Sequence, residues 1–246
     1  MSPRKRSNHH DTSLSVRRLR ELIELGETDM VEFKRRFSDF DKIAKEIIAF
    51  ANTRGGKILI GVDDDGTIVG VDSEKHEIEL VSTTAEFYCD PAIDVDIEIV
   101  EINGLDVIVI NVPESATKPH YLVPRTNGGA KRGPVGKGRR QEKEVQDDQP
   151  RHAYIRQEDR SVIASKEVER VLASDHPDAP PLQLHIGKIE RALFDYLESH
   201  PRITLREFRH LVNISERRAS RSLVRLVRAG LIRIFTDEAE DYYTLA

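Results

Sequence analysis

The sequence of 246 residues is long enough for one large domain or two smaller domains with buried cores. A charged fraction of 33% and a net charge of -5 mean that an anionic partner would have to be met by local basic patches, because the overall charge does not attract it. The single cysteine, Cys89, excludes an internal disulfide and a cysteine-based zinc site.

No apolar stretch of the sequence is long enough to span a membrane, and no signal peptide is recognisable. We therefore expect a cytoplasmic protein.

Residues 1–13 are basic and nearly without apolar side chains, and we interpret them as a mobile, solvated tail, with an arm that touches phosphates as the alternative. A short helix is predicted next, because apolar residues recur at helical spacing before Gly26. These residues are Val16, Leu19, Leu22 and Ile23.

The stretch 27–71 predicts a strand, a helix, and two strands joined by a tight turn. Residues 30–34 form the first strand, and Ser38 or Asp39 caps the helix that follows. Gly55-Gly56 ends this helix, because glycine accepts the backbone conformation that a helix end requires. Residues 57–62 and 67–71 are the two strands on either side of the turn.

Residues 74–89 predict a further helix, with Cys89 as a core thiol at its apolar end. Strands 93–102 and 105–112 are predicted to form a hairpin, because Asn103 and Gly104 tolerate the positive φ of a two-residue turn. Residues 152–156 and 165–172 predict another strand and a short helix. Before this strand, residues 126–150 read as a long mobile insertion. Two interpretations of its basic half stay open: contact with a phosphate backbone, or a solvated loop. The candidate nucleic-acid-binding residues there are Lys131, Arg132, Arg139 and Arg140.

A proline-rich linker at residues 174–183 predicts a boundary between two domains, 14–173 and 184–246. The second domain shows three helical patterns and two strand-like runs, an order typical of a winged helix-turn-helix. Thr204 and Glu207 have the spacing of a capping box at the start of its second helix.

The third helix of this predicted winged helix is the most one-sided charged feature of the chain. Its candidate nucleic-acid-binding residues are Arg217, Arg218, Arg221, Arg225 and Arg228. Most of them share one face of the helix, which can enter a major groove or lie along phosphates. A solvated basic face on a dimerisation module is the alternative. The predicted wing is acidic, which argues against contact between the wing itself and DNA.

Three segments of the first domain carry a family resemblance. ETDMVEFK at residues 27–34, AFANTRGG at 49–56 and ILIGVDDDGTIVG at 58–70 resemble the core of the Schlafen AlbA-like domain in order and spacing. The resemblance implies an α+β fold, a mixed sheet with flanking helices, and a nucleic-acid-binding domain that in some members is a ribonuclease.

Glu27, Glu32 and Asp64 match the catalytic carboxylate set of Schlafen ribonucleases, residue by residue. Three such carboxylates can hold Mg²⁺ or Mn²⁺, which would orient a phosphodiester and lower the pKa of a bound water. Lys34 would lie nearby and touch the phosphate. The alternative is that Glu32 and Lys34 are surface residues of an edge strand and that Asp64 belongs to a turn.

These observations predict a nucleic-acid-binding protein of the transcription-regulator type, with DNA or RNA as its partner. A metal-dependent endoribonuclease acting on structured RNA is the first alternative, and a protein-interaction or dimerisation module is the second. The Schlafen relatives that cleave RNA pair two such domains in one chain, so a single copy here predicts a homodimer.

Overall fold

The structure is a computed structural model, and it describes residues 16–123, 151–174, 182, 184–237 and 240–246. Its first part is an α+β arrangement of mixed sheets with flanking helices, which confirms the expected fold class. The helices are α1 (Val16–Leu25), α2 (Phe40–Asn52), α3 (Glu74–Phe87) and α4 (Lys166–Ser174). The strands are β1 (Val31–Lys34), β2 (Gly56–Ile60), β3 (Cys89–Asp90), β4 (Asp96–Ile102), β5 (Leu105–Val112), β6 (Tyr121–Leu122), β7 (His152–Gln157) and β8 (Arg160–Ile163).

One four-stranded sheet has the order β1-β2-β5-β4. The pair β1-β2 is parallel, because α2 connects the two strands as a crossover. The other pairs are antiparallel, and the predicted turn joins β4 to β5, with Asn103 at φ 54° and Gly104 at φ 79°. Side chains alternate between the two faces, so Ile58 and Ile60 enter the core that contains α2, whereas Leu59 packs on the opposite side with Leu19 of α1.

A second sheet, β3-β6-β7-β8, covers the other side of α2. This helix is therefore buried almost all round, and nearly every residue from Ile47 to Asn52 is inaccessible. The amide of Asn52 joins three segments: its nitrogen donates to the carbonyl oxygens of His120 and Tyr154 at 3.0 and 2.9 Å, and its oxygen accepts from the His120 amide at 2.8 Å. The first sheet, α2 and the second sheet thus form one packed unit.

The remaining elements lie after residue 184. They are α5 (Lys188–Ser199), β9 (Ile203–Thr204), α6 (Leu205–Leu211), α7 (Glu216–Arg228), β10 (Ile232–Phe235) and β11 (Tyr242–Leu245). The strands form an antiparallel sheet in the order β10-β11-β9. A separate core includes Leu193, Phe208, Leu223 and Tyr243. The order of elements is the one expected of a winged helix, and that assignment stays a prediction.

Two predicted helix starts are confirmed. Asp39 caps α2, where its side chain accepts a hydrogen bond from the Asp41 amide. Thr204 and Glu207 form the reciprocal capping box of α6, with the Thr204 amide donating to Glu207 at 2.8 Å. Both features depend on residues three or fewer positions apart, which is why the sequence alone reveals them.

Three predicted boundaries are wrong. Residues 67–71 form no strand, because only an isolated bridge joins Val62 to Ile68 before the chain turns away at Gly70, φ 70°. The helix α3 ends at Phe87, and Cys89 instead pairs with Leu122 in β3, although it is buried as expected. The strand β4 begins at Asp96 rather than at residue 93. Of these differences, the pairing of Cys89 depends on a strand that is distant in the sequence.

Candidate functional site

The helix α7 separates apolar and basic side chains by their spacing. Ala219, Leu223 and Leu226 are buried in the core of the C-terminal part. The opposite face carries the five predicted arginines, of which Arg217, Arg218, Arg221 and Arg225 are exposed and Arg228 is half-buried. Val224, which the sequence assigns to the buried side, is half-buried at the border between the two faces. The predicted basic face is therefore accessible to a partner.

Most of these arginines have no acidic partner in the described ranges. Arg225 lies 3.8 Å from Glu190 Oε1, a weak ion pair, since Glu190 also accepts a hydrogen bond from Ser222 at 2.8 Å. The other four arginines form no ion pair with any residue that the structure describes; they are Arg217, Arg218, Arg221 and Arg228. Guanidinium groups stay charged at any physiological pH, so this face presents unneutralised positive charge.

Glu27, Glu32 and Asp64 lie near one another but differ in their surroundings. Burial is the main cause that raises the pKa of Glu27, and the negative charges of Glu32 and Asp64 raise it further. The amide of Phe33 opposes this shift by donating to Glu27 Oε1 at 2.8 Å. Asp64 lies in an exposed turn. The charges of Glu32 and Asp64 thus both act on Glu27.

Glu32 is a buried member of an ion-pair network. Its Oε2 accepts from Arg156 Nη1 at 2.9 Å, and its Oε1 pairs with Lys34 Nζ. Lys34 also donates to the carbonyl oxygen of Phe33 at 2.9 Å. Both oxygens of Glu32 are therefore engaged by cations of the chain itself. The expectation that Glu32 and Lys34 are surface residues of an edge strand is wrong for Glu32, which is 7% exposed.

Arg156 and Glu46 complete this network, and the sequence does not reveal either of them as a site residue. The Arg156 side chain is fully buried, and its Nη1 also donates to Glu46 Oε2 at 3.0 Å, while Nη2 donates to the Thr28 carbonyl at 2.7 Å. The guanidinium stacks on the Phe50 ring, 4.7 Å from the ring centre. Burial and the charge of Glu32 raise the pKa of Glu46. We name Arg156, Glu32, Glu46 and Lys34 the buried charge network.

The described residues contain no group of three or more His, Cys, Asp or Glu side chains arranged to hold a metal ion. The Mg²⁺ or Mn²⁺ site at Glu27, Glu32 and Asp64 stays a prediction, and both oxygens of Glu32 pair with Arg156 and Lys34. Asp63, beside Asp64, pairs with Arg35 at 2.6 Å. The role of these carboxylates in catalysis stays a prediction.

Four predicted nucleic-acid-binding residues lie outside the described residues. They are Lys131, Arg132, Arg139 and Arg140.

The acidic wing predicted after β10 is described in part, with Asp237 and Glu240 exposed. Burial raises the pKa of Asp241, which directly precedes β11. No helix in the part of the chain that the structure covers has the length and apolar character needed to cross a membrane.

The chain is similar to one known family. A family model described as Schlafen, AlbA_2 matches residues 27–165. That range covers every element from β1 to β8, together with the buried charge network. No curated protein matches the chain.

Two solved structures also resemble it. One is the solution NMR structure of the N-terminal domain of a RecG-related protein from Nitrosomonas europaea, which is 26% identical over 55% of this chain and 99% of that chain, with a TM-score of 0.38. The other is the crystal structure of a protein from Corynebacterium diphtheriae, 19% identical over 63% of this chain and 29% of that chain, with a TM-score of 0.40.

Proposed function

The chain belongs to the Schlafen AlbA_2 family, and from that premise we propose that it is a nucleic-acid-binding protein of the transcription-regulator type. The observation that carries the proposal is the exposed face of α7, where four arginines stand without an ion pair among the described residues. Charges that a protein leaves unpaired on one helix face attract a polyanion, and each phosphate contact releases counterions from the nucleic acid.

The position of these arginines on the helix supports a phosphate-binding role. Ala219 and Leu223 anchor the opposite side of α7 in the core, so the helix cannot turn its arginines away from solvent. The capped helix α6 packs against α7 and fixes its direction. A rigid helix loses less conformational entropy on binding than a mobile loop does, which favours affinity.

A metal-dependent endoribonuclease is the alternative function, with Glu27, Glu32 and Asp64 as its predicted catalytic set. The family resemblance supports it, whereas the pairing of Glu32 with Arg156 and Lys34 disfavours it. A bound Mg²⁺ or Mn²⁺ would have to compete with both cations for the same two oxygens. Binding without cleavage is therefore the better-supported proposal.

The experiment that separates the two functions uses the full chain with labelled duplex DNA and with tRNA, each with and without Mn²⁺. The proposal predicts that duplex DNA is bound and that tRNA stays intact in Mn²⁺. Cleavage of tRNA that requires the metal and disappears in Asp64→Ala would make the endoribonuclease the primary function. Absence of binding to both polymers would contradict the proposal.

We further propose a homodimer, because a single AlbA-like domain offers half of the groove that two paired domains build. Light scattering at micromolar concentration is expected to give twice the chain mass. A monomer that still binds nucleic acid with full affinity would contradict the paired groove. A dimer that forms at every salt concentration and binds no nucleic acid would favour a dimerisation module instead.

A further inference from the structure

The helix α4, which directly follows the residues 27–165 matched by the family model, is fixed against α7. Glu167 Oε1 on α4 accepts a hydrogen bond from Ser220 Oγ on α7 at 3.0 Å, and Arg170 Nη1 donates to both Glu167, at 2.9 Å, and Ser220. Ser220 is only 1% exposed, so its hydroxyl group meets Glu167 and Arg170 at a buried point of the contact, whereas the ion pair between Arg170 and Glu167 is exposed. Beside them, Ile234 of β10 packs on the cluster that contains Val168. The two parts of the chain therefore meet through both polar and apolar contacts.

A basic cleft of about 540 Å³ opens where these helices meet, and we name it the arginine cleft. It is lined by Arg170, Arg218, Arg221, Val224 and Arg225. One arginine comes from α4 and three come from α7, which places a residue from before the predicted linker beside the face predicted to bind nucleic acid.

The arginine cleft keeps an excess of positive charge. Two of its four guanidinium groups form ion pairs with carboxylates among the described residues, Arg170 with Glu167 and Arg225 with Glu190 at 3.8 Å, and Arg218 and Arg221 form none there. Arg170 uses Nη1 for its contacts, and its Nη2 and Nε have no hydrogen-bond partner in the described ranges. Its side chain is 53% exposed. Like charges this close repel one another, and an anion in the cleft would relieve that repulsion.

The dimensions favour a polymer over a single small anion. Arg218 and Arg225 are seven residues apart on α7, which corresponds to about 10 Å along a helix that rises about 1.5 Å per residue. A duplex carries one charge per about 1.7 Å of its axis, so a row of this length faces several phosphates. Arg228 continues the row towards the end of α7.

The contact with α4 also restricts how α7 meets DNA. The major groove is about 12 Å wide, and one helix with its side chains is about 10–12 Å across. A second helix packed beside it adds about 8–10 Å, so the pair does not fit into the groove where the helices touch. Contact along the phosphate backbone needs no such insertion.

We propose that the arginine cleft is a composite site for the phosphate backbone of duplex DNA, in which Arg170 of α4 acts together with Arg218, Arg221 and Arg225 of α7. This inference rests on the proposed nucleic-acid binding and specifies it: both parts of the chain hold one duplex, and the contact does not depend on base sequence. Phosphate contacts position a protein on DNA but carry no direct sequence information.

The test measures the affinity of the full chain for two short duplexes of unrelated sequence over a range of salt concentrations. Arg170→Ala is expected to weaken binding to both duplexes by a similar factor and to reduce the log-log salt slope by about 0.9, the value expected when one phosphate is no longer neutralised. Arg170→Lys keeps the charge and should keep the slope. Arg160→Ala removes an exposed arginine outside the cleft and should change neither quantity.

Two results would overturn the composite site while DNA binding itself stands. If wild type binds DNA and Arg221→Ala weakens it, but Arg170→Ala leaves affinity and slope unchanged, α7 binds alone and the proposed function stands without the composite site. If Arg170→Lys reduces the slope as much as Arg170→Ala does, the effect comes from the packing of α4 on α7 and not from the charge. Absence of DNA binding by wild type would instead contradict the proposed function and the composite site with it.

Discussion

The buried charge network and the exposed face of α7 use the same residue type in opposite ways. Arg156 is enclosed, pairs with Glu32 and Glu46, and stacks on an aromatic ring. Arg221 is exposed, and its only hydrogen bond among the described residues goes to the Arg217 carbonyl one turn earlier. A buried guanidinium must be paired, because removing a charge from water costs several kcal/mol. An unpaired one persists only at the surface, where it remains available to a partner.

The pairing of these arginines, rather than their number, indicates which region stabilises the fold and which region is free to bind a partner. The network joins β1, α2 and β7, so it fixes the two sheets of the AlbA-like part around one helix. The arginines of the α7 face connect few elements of the described chain. Their contacts are the weak ion pair of Arg225 with Glu190 and the arginine cleft that α7 shares with α4. We therefore expect mutations in the first region to change stability and mutations in the second region to change binding.

The largest expected effect is that of Arg156→Ala on stability. Removal of one partner from a buried ion pair costs about 3–5 kcal/mol, here because Glu32 and Glu46 would be left together without their shared cation. Urea unfolding followed by circular dichroism measures the change. The matched control, Arg17→Ala, removes an arginine whose side chain is 90% exposed and should cost less than about 1 kcal/mol. Equal destabilisation in the two variants would contradict a structural role for Arg156.

A smaller effect is expected from Glu32→Ala, about 2–3 kcal/mol, because Arg156 keeps Glu46 and the Thr28 carbonyl as acceptors. Asp64→Ala should change the free energy of unfolding by no more than about 0.5 kcal/mol, since Asp64 lies in an exposed turn. The same urea titration compares them. A large destabilisation in Asp64→Ala would show that the three predicted carboxylates act as one structural unit.

The pH dependence of stability provides a finer test of the network. Because the pKa of Glu46 is raised in the folded state, the folded protein holds this proton more tightly than the unfolded chain does. The contribution of Glu46 is therefore fully present below its ordinary pKa of 4.5 and is lost as pH rises through the higher folded value. Glu46→Gln removes this dependence, so wild type should lose stability relative to the variant above pH 4.5.

The control for this pH series is Glu24→Gln, which changes an exposed side chain of α1. As an exposed substitution, it should change the free energy of unfolding by no more than about 0.5 kcal/mol. Parallel pH profiles for wild type and Glu46→Gln would mean that Glu46 titrates alike in the folded and unfolded states, in contradiction to its burial beside Glu32.

The sequence predicts local features of this molecule well and distant contacts poorly. The arginine face of α7 follows from helical spacing alone, and the capping box of α6 needs only Thr204 and Glu207. The buried charge network joins residues 124 and 110 positions apart, and no local pattern marks them. Arg156 lies in a strand that the sequence does predict, but its partners depend on how β7 packs against α2.

The arginine cleft illustrates the same limit. Arg170 reads as one of several charged residues on a short helix, and its position beside α7 follows only from the packing of α4 against Ser220. The Schlafen resemblance finds the family but assigns Glu32 a catalytic role that its pairing with Arg156 disfavours. A motif specifies which residue types are present, whereas their pairing is decided by tertiary contacts.

The most direct test of nucleic-acid binding through α7 is the salt dependence of duplex DNA binding in wild type and in Arg221→Ala/Arg225→Ala, with Arg191→Ala, at an exposed position of α5, as the control. The proposal predicts weaker binding by the double variant and a log-log slope that falls by about 0.9 for each phosphate that the variant no longer neutralises, while the control and the unfolding free energy stay unchanged. An unchanged affinity and slope in the double variant would remove α7 from the interface and contradict the central claim.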